Sequence, residues 1–365
     1  MRGLLPVLRP VGHYACLRGA ALAPEEAFEA QRRRAGLVLT WYRQYSDLYR
    51  RLSKRPPGLV DLFCGGGGCS EGARRAGFVV RGIDAQAQPD YEKHFGADAF
   101  VMGDALRPPE VRRACGQVSA IGVGASPPCK AYATTVMPGQ EPSAPPLLSQ
   151  TFDLLCATGL MWWIENVLGA EAGTVDAPVC TLRGSHFGLH VDRPRRFWSS
   201  FGVHLDAVLE DGGRELRRGA CLGGRRRFLR LDPLGRPDRT VCCRGNLYAV
   251  QGNAPTRSSV EENAWAMGVD AGHMSWATLA QSVPPPMAQL VAAQMAMHAC
   301  HREFGAPLIT YDEMVKAPSR ARRLMARWFR DAGDDDQDAG LELEAALDAS
   351  QSASTDTAGD ARGET

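Results

Sequence analysis

Four short stretches of the chain hold residue types that do covalent and acid–base chemistry. Ser126-Pro127-Pro128-Cys129 puts a thiol directly after paired prolines. Each proline fixes φ at about −65°, so the loop is stiff enough to hold a sulfur against a substrate. Glu165-Asn166-Val167 follows the apolar run Leu160-Met161-Trp162-Trp163-Ile164. A carboxyl at the end of such a run is partly desolvated, which raises its pKa and lets it donate a hydrogen bond to a ring nitrogen near neutral pH. Arg193-Pro194-Arg195-Arg196 stands ahead of Phe197-Trp198, and closely spaced guanidinium groups fork onto carboxylate, phosphate or a base oxygen. Finally, Asp61-Leu62-Phe63-Cys64 runs into Gly65-Gly66-Gly67-Gly68. Glycines after a strand let the backbone approach a ligand closely and turn tightly into a helix. Asp84 downstream suits the two hydroxyls of a ribose, and Asp104 in Met102-Gly103-Asp104-Ala105 suits an adenine amino group. Each stretch taken alone also has a purely structural explanation: a buried thiol, an N-cap or ion pair, a solvated basic turn, a tight turn without a ligand. For the other ten of the eleven cysteines a buried structural role is expected.

These residues need a scaffold that gathers them at one edge. Gly58-Leu59-Val60-Asp61-Leu62-Phe63 is short, apolar and followed by glycines, as a buried parallel strand is. Ser70 to Ala76 reads as the helix after it, and Phe78 to Asp84 as a second strand ending in an acid. Ala120 to Ala125 and Leu160 to Asn166 are further strands, and both run into the polar residues above. Strands alternating with helical stretches predict a doubly wound, Rossmann-like α/β sheet, whose ligands bind at the carboxyl ends of the strands. Every polar group just named falls at such an end.

The rest of the chain divides around this unit. Residues 1–57 are expected to form a basic helical extension, helical over 24–54 until Arg55-Pro56-Pro57-Gly58 breaks the pattern. The catalytic unit is expected over 58–200 and 263–305, with a helix over 286–304. Residues 201–262 are rich in Gly and Arg, with β-like pieces such as Arg227-Phe228-Leu229 and Thr240-Val241-Cys242-Cys243, and form a small domain or large insertion. A basic helix is expected over 306–330 and a disordered acidic tail over 331–365, with room for a short helix from Leu341 to Leu347.

The net charge of +1 hides this asymmetry. Residues 1–57 carry eleven Arg or Lys against four acids; residues 316–330 carry six bases and no acid; residues 331–365 carry eleven acids against one arginine. Positive segments suit a phosphate backbone or a solvated surface equally. With 44% hydrophobic residues in 365, a sizeable core is available, and no run approaches the ~20 apolar residues of a membrane span. No secretory leader is read at the N-terminus. The cysteines form no CxxC pair and no zinc-like spacing with histidine, so neither a metal nor a disulfide framework is expected, and a reducing cytoplasm fits.

Taken together and in order, these motifs resemble the DNA cytosine-5 methyltransferase family, and its compact phage-type members in particular. Phe63-Cys64-Gly65-Gly66-Gly67-Gly68 is similar to that family's Phe-x-Gly-x-Gly-Gly loop, and Pro127-Pro128-Cys129, Glu165-Asn166-Val167 and Arg193-Pro194-Arg195 to its three catalytic motifs. Gln281-Ser282-Val283-Pro284-Pro285 looks like its closing Asn-Ser-Val-Pro-Pro, with Met267-Gly268 ahead of it. The likeness covers roughly residues 58–200 and 263–305. It implies a methyltransferase fold using S-adenosyl-L-methionine, with residues 201–262 as the target-recognition region. The implied reaction is methylation of carbon 5 of cytosine in double-stranded DNA, with the base flipped out of the helix. Cys129 would be the nucleophile, Glu165 the acid, and Arg195 with Arg193 would hold the base oxygen or the adduct. Phe63, Gly65, Gly67, Gly68, Asp84, Asp104, Pro127 and Ser282 would line the cofactor. The setting implied is restriction–modification or phage DNA methylation in the cytoplasm of a bacterial or phage-infected cell, by a monomer without a metal.

The chain departs from the family pattern at Lys130, where Gln is usual, at Ala133, where Ser is common, at Val191 or Asp192, where Gln precedes Arg-x-Arg, and at Gln281. A cation beside a thiol lowers its pKa, so Lys130 bears on the rate. Two other functions remain open at the level of sequence: the same fold acting on transfer RNA, and a non-catalytic DNA-binding homologue.

Overall fold

The structure, a computed structural model, describes residues 24–132, 145–170, 175–220, 239–241, 247–251, 254–257, 260–269 and 274–332. Its centre is a seven-stranded sheet in the order β3-β2-β1-β4-β5-β7-β6. The strands are β1 (Gly58–Leu62), β2 (Val79–Asp84), β3 (Phe100–Met102), β4 (Ala120–Ala125), β5 (Met161–Val167), β6 (Val179–Leu182) and β7 (Arg195–Ser199). The first five run parallel, and β7 is antiparallel to both its neighbours. The order reverses between β1 and β4, so a crevice opens at the carboxyl ends of those strands. The fold is a doubly wound α/β sheet.

All five residues of β1 are buried, because helices cover both faces of the sheet. Alternation sorts the side chains. Leu59, Ile121, Met161 and Trp163 face α1 (Pro24–Ser53), α2 (Gly68–Arg75) and α9 (Pro285–Phe304). Val60, Leu62, Val123, Trp162 and Ile164 face α4 (Pro108–Gln117) and α5 (Leu148–Thr158). The short α3 (Pro89–Phe95) packs Tyr91 beside the glycine loop.

Helix α9 is buried almost all round, and its alanines 288, 292, 293, 296 and 299 let α1 and α2 approach closely. The approach to α2 is tight enough that a Cβ on Gly72 would lie 2.4 Å from the Pro285 carbonyl oxygen. The other flank is taken by α1, whose Val38, Trp41, Tyr42, Tyr45, Leu48 and Tyr49 are all buried. Trp41 Nε1 donates to the Ile309 carbonyl at 2.9 Å, and the Cys300 thiol donates to the Tyr45 carbonyl at 3.2 Å. This basic segment is therefore part of the core layer.

Residues 207–220 form helix α6 (Ala207–Ala220), packed against α1, where Gln31 Nε2 donates to the His186 carbonyl nearby at 2.6 Å. Beyond it, β8 (Arg239–Val241), β9 (Leu247–Gln251) and β10 (Ala254–Arg257) make an antiparallel sheet in the order β10-β9-β8. Arg227-Phe228-Leu229, Cys242-Cys243 and residues 333–365, with 341–347 among them, lie outside the described residues. Helices α7 (Val260–Met267) and α8 (Trp276–Gln281) lead back to α9.

The single basic helix expected over 306–330 is two helices, α10 (Tyr311–Lys316) and α11 (Pro318–Asp331). Thr310 and Glu313 cap α10 reciprocally, and Pro318, which lacks an N–H, starts a new helix instead of continuing the old one. Among the described residues no helix is long and apolar enough to cross a membrane.

Candidate functional site

The glycine loop leaves β1 through Phe63, which sits at φ 57°, followed by Gly65 at φ 48° and Gly67 at φ 87°. A non-glycine residue in the left-handed region is strained, and such strain persists where surrounding contacts hold it. The loop closes with the Gly67 amide donating to the Cys64 carbonyl at 2.9 Å, and α2 begins. The glycines differ in purpose. A Cβ on Gly65 would meet nothing within 4 Å, so that face is open. On Gly67 it would fall 2.4 Å from the Phe95 ring, and on Gly68 2.1 Å from Ser282 Oγ. Gly67 and Gly68 are thus closely packed by the protein itself, and Ser282 packs on the loop.

Asp84, at the end of β2, ties the loop down. Its Oδ2 accepts from the Gly65 amide at 3.0 Å and its Oδ1 from the Gln86 amide at 2.9 Å. A carboxylate offers about four acceptor sites, so capacity for two hydroxyls remains. Asp104 is exposed beyond β3, with Oδ1 accepting from the Leu106 amide at 2.9 Å.

The Pro127-Pro128 loop continues β4. The Ser126 amide donates to the Leu62 carbonyl at 3.0 Å, extending the ladder by one residue. Asn166, 1% exposed at the end of β5, donates from Nδ2 to the Pro127 carbonyl at 3.0 Å. Its Oδ1 accepts from the Val167 amide at 2.9 Å. Cys129 follows as the first residue of a 3₁₀ turn, exposed. By contrast, Cys64 and Cys69 are buried, and burial raises both thiols well above their ordinary range. The side chain of Lys130, and all of Ala133, lie outside the described residues.

Beside this loop, Glu165 and Arg195 form an ion pair, Arg195 Nε to Glu165 Oε1, at 2.9 Å. In the β5–β7 register Arg195 stands opposite Val167, two residues from Glu165 on the same face, so the two side chains meet diagonally. Burial raises the Glu165 carboxyl above its ordinary value, opposed by the charges of Arg195 and Arg193 and by the Ser126 hydroxyl. Arg193, at φ 30°, donates from Nε to the Ser282 carbonyl at 2.9 Å. It thereby fastens the turn before β7 to the segment lying on the glycine loop.

Three neighbours escaped the sequence-based selection of site residues. Asp61 is fully buried in β1, accepts from Ser70 Oγ at 2.7 Å, and is raised by burial to about 7. Ser70 continues the chain to the Tyr91 hydroxyl at 3.0 Å. Ser126 lies 3.5 Å from Cys69 Sγ and touches the Glu165 carboxyl. A lone carboxylate inside a five-residue apolar strand was the readable sign of Asp61.

The carboxyl edge of β1, β2, β4 and β5 therefore holds an open glycine-loop face, acceptor carboxylates, an exposed thiol on a pinned loop, and a buried acid paired with a guanidinium. Such a set supports addition of sulfur to an electron-poor ring with a proton supplied to that ring.

No family model matches the chain, and no curated protein matches it. Solved structures do. One is a prophage-encoded protein from E. coli described as a DNA modification methyltransferase, 15% identical, with a TM-score of 0.46, covering 68% of this chain and 100% of its own. The Dnmt2 methyltransferase of S. pombe is 14% identical, with a TM-score of 0.40, over 68% of this chain and 99% of that one. The Entamoeba histolytica methyltransferase EhMeth is 12% identical, with a TM-score of 0.42, over 67% and 98%. At these identities and TM-scores the likeness assigns no activity to this chain.

Proposed function

We propose that this protein transfers a methyl group from S-adenosyl-L-methionine to carbon 5 of cytosine in double-stranded DNA. The observation that carries the reading is the buried Glu165–Arg195 pair beside the Pro127-Pro128-Cys129 loop, which Asn166 pins. The residues at the glycine loop fit the cofactor. The open face at Gly65 admits a ligand against the backbone, and Asp84 and Asp104 retain acceptor capacity for ribose hydroxyls and an adenine amino group. Phe63 and Pro127 would border it, with Gly67, Gly68 and Ser282 shaping the loop from behind.

In this mechanism the Cys129 thiolate adds to carbon 6, forming a carbon–sulfur bond and driving an electron pair toward ring nitrogen 3. Glu165 gives nitrogen 3 a proton, a role favoured by the burial that raises its carboxyl above the ordinary value. Arg195 holds Glu165 in place and offers its remaining donors to the base oxygen. When bound, the cofactor supplies the electrophilic methyl group that carbon 5 accepts. Loss of the carbon 5 proton to a solvent base re-forms the carbon 5–carbon 6 double bond and expels the Cys129 thiolate, and nitrogen 3 gives its proton back to Glu165, which restores both the aromatic ring and the enzyme. A base stacked in a duplex does not reach such a loop, so the cytosine must be extruded.

The test is product analysis. The purified chain is incubated with methyl-labelled cofactor and, separately, duplex DNA and transfer RNA, and the nucleosides are separated by mass. Labelled 5-methyldeoxycytidine is expected, lost in Cys129→Ser while cofactor binding persists. Label in RNA alone would move the reading to a transfer-RNA enzyme. DNA retention without label would make the chain a binder.

A further inference from the structure

We propose that His204, Asp206 and Asp312 form a divalent-cation site, with zinc the best-fitting ion, at the edge of the sheet opposite the reacting residues. β7 runs antiparallel to β5, so the segment after Ser199 emerges at the amino edge of the parallel strands. There His204 Nε2 lies 3.3 Å from Asp312 Oδ2 and 3.5 Å from Asp206 Oδ1. One donor atom from each of the three residues lies within 4.8 Å of the others. Donors around a tetrahedral zinc at bonds of about 2.0–2.1 Å stand roughly 3.3–3.4 Å apart. The two separations from His204 are close to that, and closing the remaining aspartate–aspartate separation, within 4.8 Å, is what binding would require.

A second observation points to a ligand. Asp206 is 0% exposed, and its Oδ2 is buried without a hydrogen-bond partner. Its Oδ1 accepts from the Tyr42 hydroxyl at 3.2 Å and from the Asp312 amide at 3.1 Å. A buried carboxylate oxygen without a donor is costly, and Oδ2 belongs to the same carboxylate whose Oδ1 faces His204, so a cation held by this carboxylate would supply the charge that Oδ2 lacks. Among the described residues no Arg or Lys pairs with either aspartate; His204 is the partner of both. Two carboxylates therefore face one imidazole.

The donors are held in advance by three different elements. Gln294, buried in α9, clamps the His204 backbone from both sides, accepting from its amide and donating to its carbonyl at 2.8 Å each. Asp206 precedes α6, its carbonyl accepting from the Leu209 and Glu210 amides at 2.9 and 3.2 Å. Asp312 lies in the capped first turn of α10, and its carboxylate accepts from the Ala207 amide at 3.1 and 3.2 Å. The His204 side chain is 43% exposed, which leaves a coordination position for water. A bound ion would join α6 and α10 where Tyr42 of α1 meets them. Spacing alone hid the set, since Asp312 lies 106 residues beyond Asp206.

The experiment uses the full chain, stripped with a chelator and titrated with zinc and, separately, cobalt(II) ions. One equivalent is expected to bind. Cobalt should give visible bands without the near-ultraviolet charge-transfer band of thiolate ligation, and zinc should raise the unfolding temperature. His204→Gln and Asp312→Asn, changes at partly exposed side chains, should each weaken binding more than tenfold and remove the thermal gain, since even indirect partners of a metal contribute about 10–100-fold. Absence of saturable binding, a thiolate band, or unchanged affinity in both variants would overturn the proposal. None of these readouts depends on methyl transfer.

Discussion

Asn166 offers the sharpest separation between holding the fold and placing the nucleophile. It is buried and bridges two strands' ends, with Nδ2 on the Pro127 carbonyl at 3.0 Å and Oδ1 on the Val167 amide at 2.9 Å. Asn166→Ala removes both bonds and leaves two polar groups unsatisfied. At about 1–3 kcal/mol each, the loss is roughly 2–6 kcal/mol before the loop relaxes. Relaxation moves the segment carrying Cys129, and a displacement on the order of 1 Å costs about 100-fold in rate. Asn166→Asp divides the two effects. It keeps the acceptor for Val167 but turns an acceptor against the Pro127 carbonyl, so the loop is repelled until the new carboxyl is protonated. Methyl transfer and cofactor binding would be followed from pH 5.5 to 8.5, beside thermal unfolding. The expected outcome is kcat down about 100-fold in both variants, KM for DNA nearly unchanged, and the Asp variant recovering relative to wild type as pH falls. A kcat within threefold of wild type in a folded Asn166→Ala protein would refute the reasoning and leave Asn166 a structural residue only.

Other outcomes follow from the same geometry. Glu165→Gln should slow transfer by more than tenfold, since acid–base assistance contributes ~100-fold or more, and should abolish the decline in kcat as pH rises through the raised pKa of that carboxyl; an unchanged rate would remove Glu165 from its role. Two buried acids should oppose each other in stability. Asp61, raised by burial from 3.8 to about 7, favours the fold below pH 3.8, and that contribution, about 4 kcal/mol, is lost as pH rises to 7. Glu71 is raised by burial, but the hydrogen bonds of Arg74, His94 and Arg75 outweigh this and hold it at about 2; its contribution, about 3 kcal/mol, is present above pH 4.5 and lost as pH falls to 2. Denaturant unfolding of Asp61→Asn should flatten the upper window and Glu71→Gln the lower one. Gly72→Ala, whose Cβ would lie 2.4 Å from the Pro285 oxygen and 2.7 Å from Ala288 Cβ, should destabilise by roughly 1–3 kcal/mol through overpacking. Gly36→Ala in α1, with nothing within 4 Å, should instead stabilise by roughly 0.5–1 kcal/mol.

Much of the sheet was legible because buried parallel strands are short apolar runs. β1, β2, β4 and β5 lie within a residue or so of where their apolar runs place them. β3 has three residues, too few for any periodicity to show. α1 was readable as a helix, yet its basic charge hid its place in the core. The informative pattern was the stripe Val38, Trp41, Tyr42, Tyr45, Leu48 and Tyr49 at three- and four-residue spacing. At the site, residue types were visible but contacts were not. The bond from Asn166 to Pro127 spans 39 residues and that from Arg193 to Ser282 spans 89, and no local spacing rule reports either. The glycines were ambiguous in principle, because ligand approach and tight protein packing both demand the absence of a Cβ. Only the open face at Gly65 and the crowded ones at Gly67 and Gly68 separate the two.

The central claim is covalent attack by Cys129 on cytosine in DNA. It is tested most directly with duplex DNA carrying 5-fluorocytosine, incubated with the purified chain and S-adenosyl-L-methionine and resolved under denaturing conditions. The fluorine at carbon 5 does not leave as a proton does, so the sulfur stays bound to carbon 6. The account predicts a cofactor-dependent protein–DNA adduct, mapped by peptide mass to Cys129 and absent from Cys129→Ala. DNA that is methylated at unsubstituted cytosine but forms no adduct, or an adduct that persists in Cys129→Ala, would contradict it.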